Sequence, residues 1–578
     1  MMSVAEPEVS PLWVVGSRDL AAERQLVREL RVTPLVAAVL VQRGFGDPQA
    51  AFAFLNPSLD DLHDPKKLPD YEAARNEILG AKERGELIYV HGDYDVDGVT
   101  SAAIFQRFLS RIGCKVHTHV PHRMKEGYGI HVDAVEEAIS MGAKLFLTCD
   151  CGSGALAQIE RAKQAGMKVV VTDHHSVGEE LPKSDAFINP HRPGSDYPFD
   201  ELSGAGVVFK LCQGLTEELG HPVGAYHRAF LDLAALGTVA DVMPLLGENR
   251  IIARFGIERL QDTKKVGLQA LMRESKVGLD PTKPIKARHI GWQLGPRLNA
   301  VGRLEDAAVA LQLLIESDSA KAVQLAARLE AVNVERRAQT AAIVEQAEEM
   351  VLSSGYDRRS LMVVANEGWH SGIVGIVAGR LVEKFNRPCF VLTVNPETGM
   401  CKGSARGIPN FHLAAAIRAH PELLEGGGHA MAAGCSFPVD RLEAVRSALD
   451  TYAQERLKPE DLAPKVVADM EVTWDEVTLS AAEEMASLEP FGCENPEPVF
   501  VARSVALSQI RPTKNPSHVR LVLRQGGGKA FPGIAFNIGE ALSALGAGTE
   551  VDLLFKAEVN EFQGFRELQW QVRDFRKN

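Results

Sequence analysis

The segment that decides the fold reads Leu87-Ile88-Tyr89-Val90-His91-Gly92-Asp93-Tyr94-Asp95-Val96-Asp97-Gly98. A short apolar run ends there in aspartates that alternate with other residues. Alternate side chains of extended backbone point to one side, so we expect the carboxylates on one face, followed by a helix from near Thr100. Like charges on one face repel each other unless cations neutralise them. An isolated segment of this kind would favour an acidic surface turn, but acids or histidines at the ends of further strands would favour a buried strand that ends at a metal site.

Two later segments repeat this arrangement of an apolar run followed by an acid or a histidine. They are Thr148-Cys149-Asp150 and Val169-Val170-Val171-Thr172-Asp173-His174-His175. Because the carboxyl ends of parallel strands meet at one edge of a sheet, these side chains should lie close together. Such an edge suits two divalent metals and, beside a crevice, phosphoester hydrolysis.

Each residue of this edge has an expected role. Asp150 can bridge two ions through its two oxygens, or it can cap a helix. Neighbouring side chains diverge, so we expect His174 to bind a metal and His175 to face the scissile phosphate. Asp241 follows a helix-like apolar run and is either the last carboxylate of the site or a loop aspartate. Ligands that are mostly carboxylates favour Mn²⁺ or Mg²⁺ over zinc.

The order of elements along the chain predicts the fold class. Strands are expected at 86–91, 115–120, 144–149, 167–172 and 186–188, with amphipathic helices between them. This alternation predicts an α/β domain with a doubly wound parallel sheet. Asp318 can cap a helix that runs to about Leu352, roughly 50 Å long, which would connect two domains. A second α/β block follows at about 360–455, and short alternating strands from about 466 predict a small barrel or sandwich.

Composition excludes some classes of protein. A net charge of −13 argues against broad wrapping of a polyanion, but bound cations or a basic groove can invert the potential locally. The eight cysteines form no Cys-x-x-Cys pair, which favours reduced thiols in a cytoplasmic protein. There is no apolar run of roughly 18 residues and no basic-then-apolar start, so we expect neither a membrane span nor a signal peptide.

Glycine-rich and basic segments are candidates for phosphate binding. Gly426-Gly427-Gly428-His429-Ala430-Met431-Ala432-Ala433-Gly434 can present backbone N–H groups to an anion at a helix start, or can be a plain turn. Arginines in turn-rich segments, including Gly295–Arg303, can clamp phosphates. Near the carboxyl terminus, aromatic residues alternate with arginines, which suits either base stacking or core packing; they are Phe555, Phe562, Phe565 and Trp570 with Arg520, Arg524 and Arg566.

Together these motifs resemble the Asp-His-His (DHH/DHHA1) phosphoesterase superfamily and, within it, the RecJ family of bacterial single-strand-specific exonucleases. Further supporting segments are Phe54–Pro57, Gly295–Arg303, Trp369–Arg380 and Glu489–Pro496. The resemblance covers essentially the whole chain. It implies an N-terminal helical segment over 1–70, a DHH catalytic domain over 71–304, a connecting helix over 305–355, a DHHA1 substrate-binding domain over 356–460 and an oligonucleotide-binding (OB) barrel over 461–578.

The resemblance also implies an activity, namely 5′→3′ degradation of single-stranded DNA to 5′-mononucleotides with two Mn²⁺ or Mg²⁺ ions, in recombination and repair. The implied metal ligands are Asp93, Asp95, Asp97, Asp150, His174 and Asp241. His175 is implied as phosphate contact or general acid, in one catalytic set with Asp97 and Asp150. The implied DNA contacts are Arg123, Arg303, Ser371, Arg406, Gly427, Gly428 and His429. His91 stays open, because His-x-x-x-Asp-x-Asp is a metal motif in the pyrophosphatase branch but His91 can also be a plain strand residue.

Two other functions stay open from the sequence. One is a short-oligonucleotide or small-phosphoester hydrolase of the same superfamily, although such chains are usually shorter and lack the barrel. The other is a non-catalytic nucleic-acid-binding scaffold, although every expected ligand position is filled here. Single-stranded DNA is the expected partner, with a single-strand-binding protein and a helicase as further candidates. We expect a monomer.

Overall fold

The computed structural model describes residues 11–127, 129–526, 528–562 and 564–577, without the side chain of Phe562. The first ten residues of the expected N-terminal segment and the Phe562 ring therefore lie outside the described part. The chain opens with β1 (Leu12–Val15), α1 (Leu20–Leu30), α2 (Pro34–Gln42) and α3 (Pro48–Leu55). Aspartates at the N-caps of α1 and α3 accept hydrogen bonds from the first backbone N–H groups, which fixes where these helices start.

The first α/β domain contains the predicted parallel sheet. Its elements are α4 (Tyr71–Glu83), β2 (Leu87–His91), α5 (Val96–Arg111), β3 (Lys115–His119), α6 (Val132–Ser140), β4 (Leu145–Thr148), α7 (Leu156–Gln164), β5 (Lys168–Thr172) and β6 (Ala186–Ile188). The strand order is β3-β2-β4-β5-β6, and every pairing is parallel. Ile88 and Tyr89 are both fully buried, in cores on opposite faces of the sheet. The prediction of a doubly wound sheet is confirmed. Strand β3 is added on one side of β2 and strands β4 to β6 on the other, so the strand order reverses between β2 and β4, and ligands bind at this point in such folds.

Helices complete this domain and leave it. They are α8 (Gly204–Glu218), α9 (Val223–Ala240), α10 (Gly247–Gln261), α11 (Val266–Glu274), α12 (Ala287–His289), a π-helical turn (Ile290–Leu294), α13 (Gly295–Leu304), α14 (Ala308–Ile315) and α15 (Ser319–Ser353). Asp318 caps α15, as predicted. Ala326 packs in the core of the first domain, whereas Ala347 packs in that of the second, so α15 connects the two. The segment Gly295–Arg303, expected to be rich in turns, is instead helix α13, which starts with Pro296 in its first turn.

The second α/β domain has a mixed sheet in the order β10-β11-β9-β8-β7. Its elements are β7 (Met362–Glu367), α16 (Val374–Phe385), β8 (Cys389–Asn395), β9 (Met400–Arg406), α17 (Leu413–Arg418), β10 (Glu425–Gly428), β11 (Ala432–Pro438) and α18 (Leu442–Gln454). The expectation of an anion-binding loop at a helix start is wrong, because Gly427 and Gly428 lie in the edge strand β10. A Cβ at Gly426 would lie 2.2 Å from a carbonyl oxygen of β11, so glycine permits this close pairing.

The chain ends in a closed barrel. Its region contains α19 (Pro459–Leu462), β12 (Lys465–Ala468), β13 (Met470–Glu471), α20 (Leu479–Glu484), β14 (Phe500–Pro512), β15 (Val519–Gln525), β16 (Phe531–Ala535), α21 (Gly539–Leu545), β17 (Glu550–Phe562) and β18 (Phe565–Lys577). Strands β14 and β17 pair and close the five-stranded cylinder. Phe555 and Trp570 stack in its core, with ring centroids 3.7 Å apart, whereas Phe565 is 80% exposed. Of the aromatic residues expected to stack on bases, Phe555 and Trp570 are therefore packing residues.

The two ends of the described chain share one hydrophobic core. Leu26, Val36 and Val39 of the N-terminal helices are buried in one cluster with barrel residues such as Phe500. Strand β1 also pairs in parallel with β12. The N-terminal helices and the barrel thus pack as one module against the first domain. No helix in the described residues is long and apolar enough to span a bilayer.

Candidate metal centre

The aspartates after β2 are arranged by a strand, a turn and a helix. Helix α5 begins at Val96, not near Thr100 as expected, because Asp95 is its N-cap and accepts a hydrogen bond from the Gly98 N–H at 3.0 Å. Asp97 therefore lies in the first helical turn and not in an extended run. A Cβ at Gly98 would lie 2.5 Å from the carbonyl oxygen of Asp93, so only glycine allows so tight an entry. The carboxylates still converge, but by a different local structure from the one expected.

Backbone hydrogen bonds fix the positions of Asp97 and Asp150. Asp97 accepts hydrogen bonds from Gly204 N–H at 2.6 Å and Ala205 N–H at 2.9 Å, at the start of α8. Asp150 follows β4 with a φ of +60°, and its N–H donates to the carbonyl of Thr172 on the neighbouring strand at 3.0 Å. The order of strands in the sheet thus brings both acids to the same edge.

His174 lies at the centre of the cluster. Its Nε2 is 3.1 Å from Asp150 Oδ1, 3.7 Å from Asp97 Oδ2 and 3.6 Å from Asp241 Oδ2. Asp241 is the C-cap residue of α9, and the length of that helix carries it to this edge. Burial and the charge of His175 lower the pKa of His174 to about 3, so the imidazole is neutral at physiological pH and can bind a cation through Nε2.

The potential ligands form overlapping groups in which the ligand atoms lie within 4.8 Å of one another. These groups are Asp93 with Asp95 and Asp150; Asp97 with His174 and Asp241; and Asp150 with His174 and His175. Asp150 belongs to two of them, which is the arrangement expected of a carboxylate shared by two neighbouring cations. The structure therefore brings together every residue that the sequence assigned to the metal site.

His91 lies outside these groups. Its buried ring stacks on His119, with centroids 5.3 Å apart, and on Phe146, with centroids 5.9 Å apart. Burial and the charge of His119 lower its pKa to about 3. The position of the ring favours the alternative of a strand residue for His91.

The mutual repulsion of the clustered carboxylates favours the binding of cations. Burial and the charge of Asp95 raise the pKa of Asp97 to about 7, and burial and the charge of Asp97 raise that of Asp241 to about 9. The pKa values of Asp93 and Asp150 are also well above the usual range, first because of burial. Buried polar atoms without a hydrogen-bond partner among the described residues include Asp93 Oδ1, Asp150 Oδ1 and His174 Nε2. This donor set fits two divalent cations, which would satisfy these atoms and relieve the repulsion.

Asp173 orients His175. Its Oδ1 accepts from His175 Nδ1 at 2.8 Å and from the backbone N–H groups of His174 and His175 at 2.8 and 3.1 Å. Burial works to lower the pKa of His175, but the hydrogen bond and charge of Asp173 outweigh it and raise the pKa to about 9. In the metal-free chain His175 is therefore an imidazolium at neutral pH. The sequence did not assign this role to Asp173, although its place directly before the histidine pair was a signal.

Arginines from separate elements converge beside the carboxylates. Burial lowers the pKa of Arg303 to about 10, and the nearby charges of Arg123, Arg336 and Arg406 contribute to this shift. Arg303 Nη1 donates to the carbonyl of Gly372 in the second domain at 3.2 Å. Ser371 Oγ lies 3.6 Å from Met124 Sδ, next to Arg123. The predicted DNA contacts Arg123, Arg303, Ser371 and Arg406 thus line the boundary between the two α/β domains.

Three predicted DNA contacts lie further out. Gly427, Gly428 and His429 belong to the β10–β11 hairpin, and none of them is a member of the clustered ligand groups. Their link to the site is indirect, since Ala432 in β11 pairs with Arg406 in β9. The hairpin flanks Arg406, and the structure leaves the role of these three residues a prediction.

One groove near the site was not expected from the sequence. It has a volume of about 540 Å³, adjoins Ala240 and Asn299, and is lined by Arg297, Arg303, Arg336, Arg337 and Arg380. Trp292 stands at its rim on the π-helical turn, with 74% of the residue exposed. A π-helical turn has no sequence signature that would have identified this tryptophan.

Comparison with known proteins gives the relationship. The chain matches the DHH family N-terminal domain at residues 87–238, the DHHA1 domain at 359–455 and the RecJ OB domain at 468–574. Proteins named single-stranded-DNA-specific exonuclease RecJ are 36% identical to it in Bacillus subtilis, over 97% of this chain and 70% of that protein, and 36% identical in Dickeya dadantii, over 93% and 94%. This chain belongs to the RecJ family. The crystal structure of RecJ in complex with Mn²⁺ from Thermus thermophilus matches 98% of this chain and 80% of its own, with a TM-score of 0.83 and 30% identity.

Proposed function

We propose that this protein is a metal-dependent exonuclease that hydrolyses single-stranded DNA in the 5′→3′ direction and releases 5′-mononucleotides. The observation that carries the proposal is the largely buried set of overlapping ligand groups, two of which share Asp150, beside converging arginines. The relatives named single-stranded-DNA-specific exonuclease cover nearly the whole chain and support the choice of substrate.

The proposed ligands of the two divalent cations, Mn²⁺ or Mg²⁺, are the aspartates and the histidine of the cluster: Asp93, Asp95, Asp97, Asp150, His174 and Asp241. When bound, such ions supply an activated water and neutralise charge on the phosphate. The chain itself fixes the ligands beforehand. Asp97 is held by two backbone N–H groups of α8, and burial keeps His174 neutral.

The proton at His175 gives this residue its proposed role. Its Nδ1 is held by Asp173 at 2.8 Å, so a proton on Nε2 can be directed to a phosphate oxygen. Arg303 is mostly buried and surrounded by other cations, so a phosphate would relieve repulsion there. We assign Arg123, Arg303, Ser371 and Arg406 to the phosphates nearest the cleaved bond.

The remaining strand has a proposed path from the barrel to the metal centre. A second pocket of about 720 Å³ lies between the Asp241 loop and the barrel and is lined by Trp292, Arg288, Lys556 and Arg573 among others. Trp292 therefore borders both this pocket and the arginine-lined groove. An exposed tryptophan between two basic pockets suits a stacked base, with cations along the backbone.

The proposal extends to context. Some parts of the proposal rest on the family resemblance. They are a role in recombination and repair, a monomeric state, a cytoplasmic location, and partnership with a single-strand-binding protein and a helicase. The barrel packed against the catalytic domain argues against the short-oligonucleotide hydrolase, which would not need it.

The test is degradation of single strands labelled at the 5′ or the 3′ end, with Mn²⁺ and with a chelator. We expect labelled mononucleotide to appear first from the 5′ end, only with metal, and not from a duplex. Release from the 3′ end would contradict the polarity. Intact DNA with Mn²⁺ would favour the scaffold function.

A further inference from the structure

A strongly basic pocket lies in the first domain, away from the metal centre. It has a volume of about 780 Å³, and its lining includes Arg107, Arg111, Arg228, Arg259, Lys264 and Lys265. Its acidic lining residues are Asp232 and Glu316. This local surplus of cations contrasts with the net charge of −13 of the whole chain.

The pocket occupies the far ends of the two helices that carry metal ligands. Helix α5 starts beside Asp97 and reaches Arg107 after about 15 Å, and α9 covers about 20 Å from Arg228 to Asp241 at 1.5 Å per residue. The pocket and the metal centre share no lining residue. It is therefore a separate site and not an extension of the catalytic groove.

Among the described residues, the two acidic residues pair with only one of the six cations, Lys265. The Asp232 carboxylate is used by Lys265 Nζ, at 2.7 Å, and by Thr263 Oγ1, at 2.7 Å. Glu316 Oε1 accepts the backbone N–H groups of Ser317 and Asp318 at 2.7 and 2.8 Å.

The other cations lack acidic partners. In the part of the chain that the structure describes, none of Arg111, Arg228, Arg259 and Lys264 forms an ion pair. The buried Nε of Arg259 also has no hydrogen-bond partner among those residues. Burial lowers the pKa of Arg107 by more than the charge of Asp232 raises it. The Arg107 guanidinium donates to the backbone carbonyls of Leu314 and Glu316. Arg111, Arg228, Arg259 and Lys264 thus line the pocket without an ion-pair partner among the described residues.

The start of a helix adds to the positive electrostatic potential of the pocket. Helix α11 begins at Val266, which lines the pocket, and it has no side-chain N-cap. The first N–H groups of a helix have no partner within the helix, and its dipole is positive at that end. Unpaired guanidinium groups and an uncapped helix start are independent features that select an anion.

We propose that this pocket is a binding site for a polyphosphate anion, such as inorganic tripolyphosphate or the phosphate chain of a nucleotide. Its volume is in the range of small-ligand sites. Arginine forks match phosphate oxygens in pairs, and several unpaired cations around one pocket favour a compact ligand with several negative charges. The site does not depend on the proposed nuclease function.

The test is a calorimetric titration of the full chain with tripolyphosphate at low ionic strength, after divalent cations have been removed on a chelating resin. Arg228 and Lys264 are exposed, so the double variant Arg228→Ser/Lys264→Ser should fold normally. We expect it to bind at least about tenfold more weakly than the wild type, which corresponds to about 1.4 kcal/mol. The matched control is Arg24→Ser/Lys144→Ser, an exposed arginine and an exposed lysine that line neither this pocket nor the groove beside the metal centre, and it should bind as the wild type does.

The outcomes separate the alternatives. Unchanged affinity in the Arg228→Ser/Lys264→Ser variant, or loss only in the control, would overturn the proposal. Thermal unfolding and the nuclease rate of this variant serve as the folding check, and Arg111→Ser supplies a second exposed position if the double variant is unstable. ATP without metal distinguishes the sources, since equal affinity identifies the phosphates alone and tighter binding identifies a nucleotide. Tighter binding of a glutamate-rich peptide to the same pocket would overturn the proposal in favour of an acidic protein segment.

Discussion

Asp150 combines a rare backbone conformation with a buried, unsatisfied charge. Its φ is +60°, and its Oδ1 has no hydrogen bond to any described residue. Aspartate and asparagine tolerate this left-handed region better than most residues, whereas alanine does not. Two effects on the free energy of unfolding can therefore be measured separately at this position. Asparagine removes the carboxylate but tolerates the left-handed backbone, whereas alanine removes the carboxylate and also strains the backbone.

We predict that Asp150→Asn lowers cleavage by at least about a hundredfold, because the shared ligand is lost. The same substitution should raise the free energy of unfolding of the metal-free protein by about 1–2 kcal/mol, since it removes a carboxyl group whose ionisation burial and the neighbouring aspartates oppose. Nucleotide release from a labelled single strand measures cleavage. Urea unfolding with and without Mn²⁺ measures stability, and Mn²⁺ should stabilise only the wild type. Asp150→Ala is the control, equally inactive but less stable. An Asp150→Asn protein that Mn²⁺ stabilises as strongly as the wild type would remove Asp150 from the ligand set.

Helix α9 also carries a buried histidine, His227, which packs at the core of the first domain. The His227 ring lies 5.6 Å from that of Phe209, and its buried Nε2 has no hydrogen-bond partner among the described residues. Burial, then the charge of Lys210, lowers the pKa of His227 from 6.5 to about 4. A lowered pKa means that the unfolded chain binds the proton more tightly. The stability contributed by the neutral ring is thus present above pH 6.5 and is lost as the pH falls towards 4.

We predict that His227→Phe removes part of the acid sensitivity of the fold. Between pH 7 and pH 5 the wild type should lose about 1 kcal/mol more than the variant, roughly half of the ideal linkage value because solvent screens the ring in part. Urea unfolding at the two pH values gives the difference. Equal losses in both proteins would show that His227 does not carry this linkage.

The π-helical turn of Trp292 gives a second prediction about an element. Trp292→Ala should raise the KM for a long single strand about tenfold, since stacking of one base contributes about 1–3 kcal/mol, while kcat stays near that of the wild type. Steady-state kinetics with a fluorescent strand measure this. Trp292→Phe should recover most of the affinity. Phe52→Ala, at an exposed aromatic on α3, is the matched control. A similar rise in KM for Phe52→Ala would indicate a general effect.

For the whole molecule, local signals were predictable and distant pairings were not. The strands β2 to β6 and helix α15 follow from apolar runs, periodicity and the cap at Asp318, which are properties of short segments. The start of α5 was misplaced because a cap aspartate and an extended aspartate look alike in sequence. The pairing of Gly426–Gly428 with β11, and the arginines that converge at Arg303 from separate elements, depend on tertiary contacts that spacing does not encode.

The cores of the described chain divide it into two modules. The clusters of both α/β domains contain residues 59–462 only, whereas Leu26 and Phe500 share the core of the other module. Arg250 joins the modules by donating to backbone carbonyls of Phe54 and Leu488. The Leu245 N–H, just after Asp241, also donates to the carbonyl of Cys493 at 3.0 Å.

We predict that deleting residues 466–578 alone gives a poorly folded protein, because the buried faces of α1 and α2 lose their partners and become an exposed apolar patch. A fragment of residues 56–462 removes both halves of that module and should stay monomeric in size-exclusion chromatography. This fragment should still cleave short oligonucleotides at saturating Mn²⁺, but it should bind long strands more weakly, with a smaller dependence of affinity on salt because the barrel's phosphate contacts are gone. Equal affinity and salt dependence in the fragment and the full chain would mean that the barrel does not bind the strand. Equal solubility of the two deletions would mean that the ends fold independently.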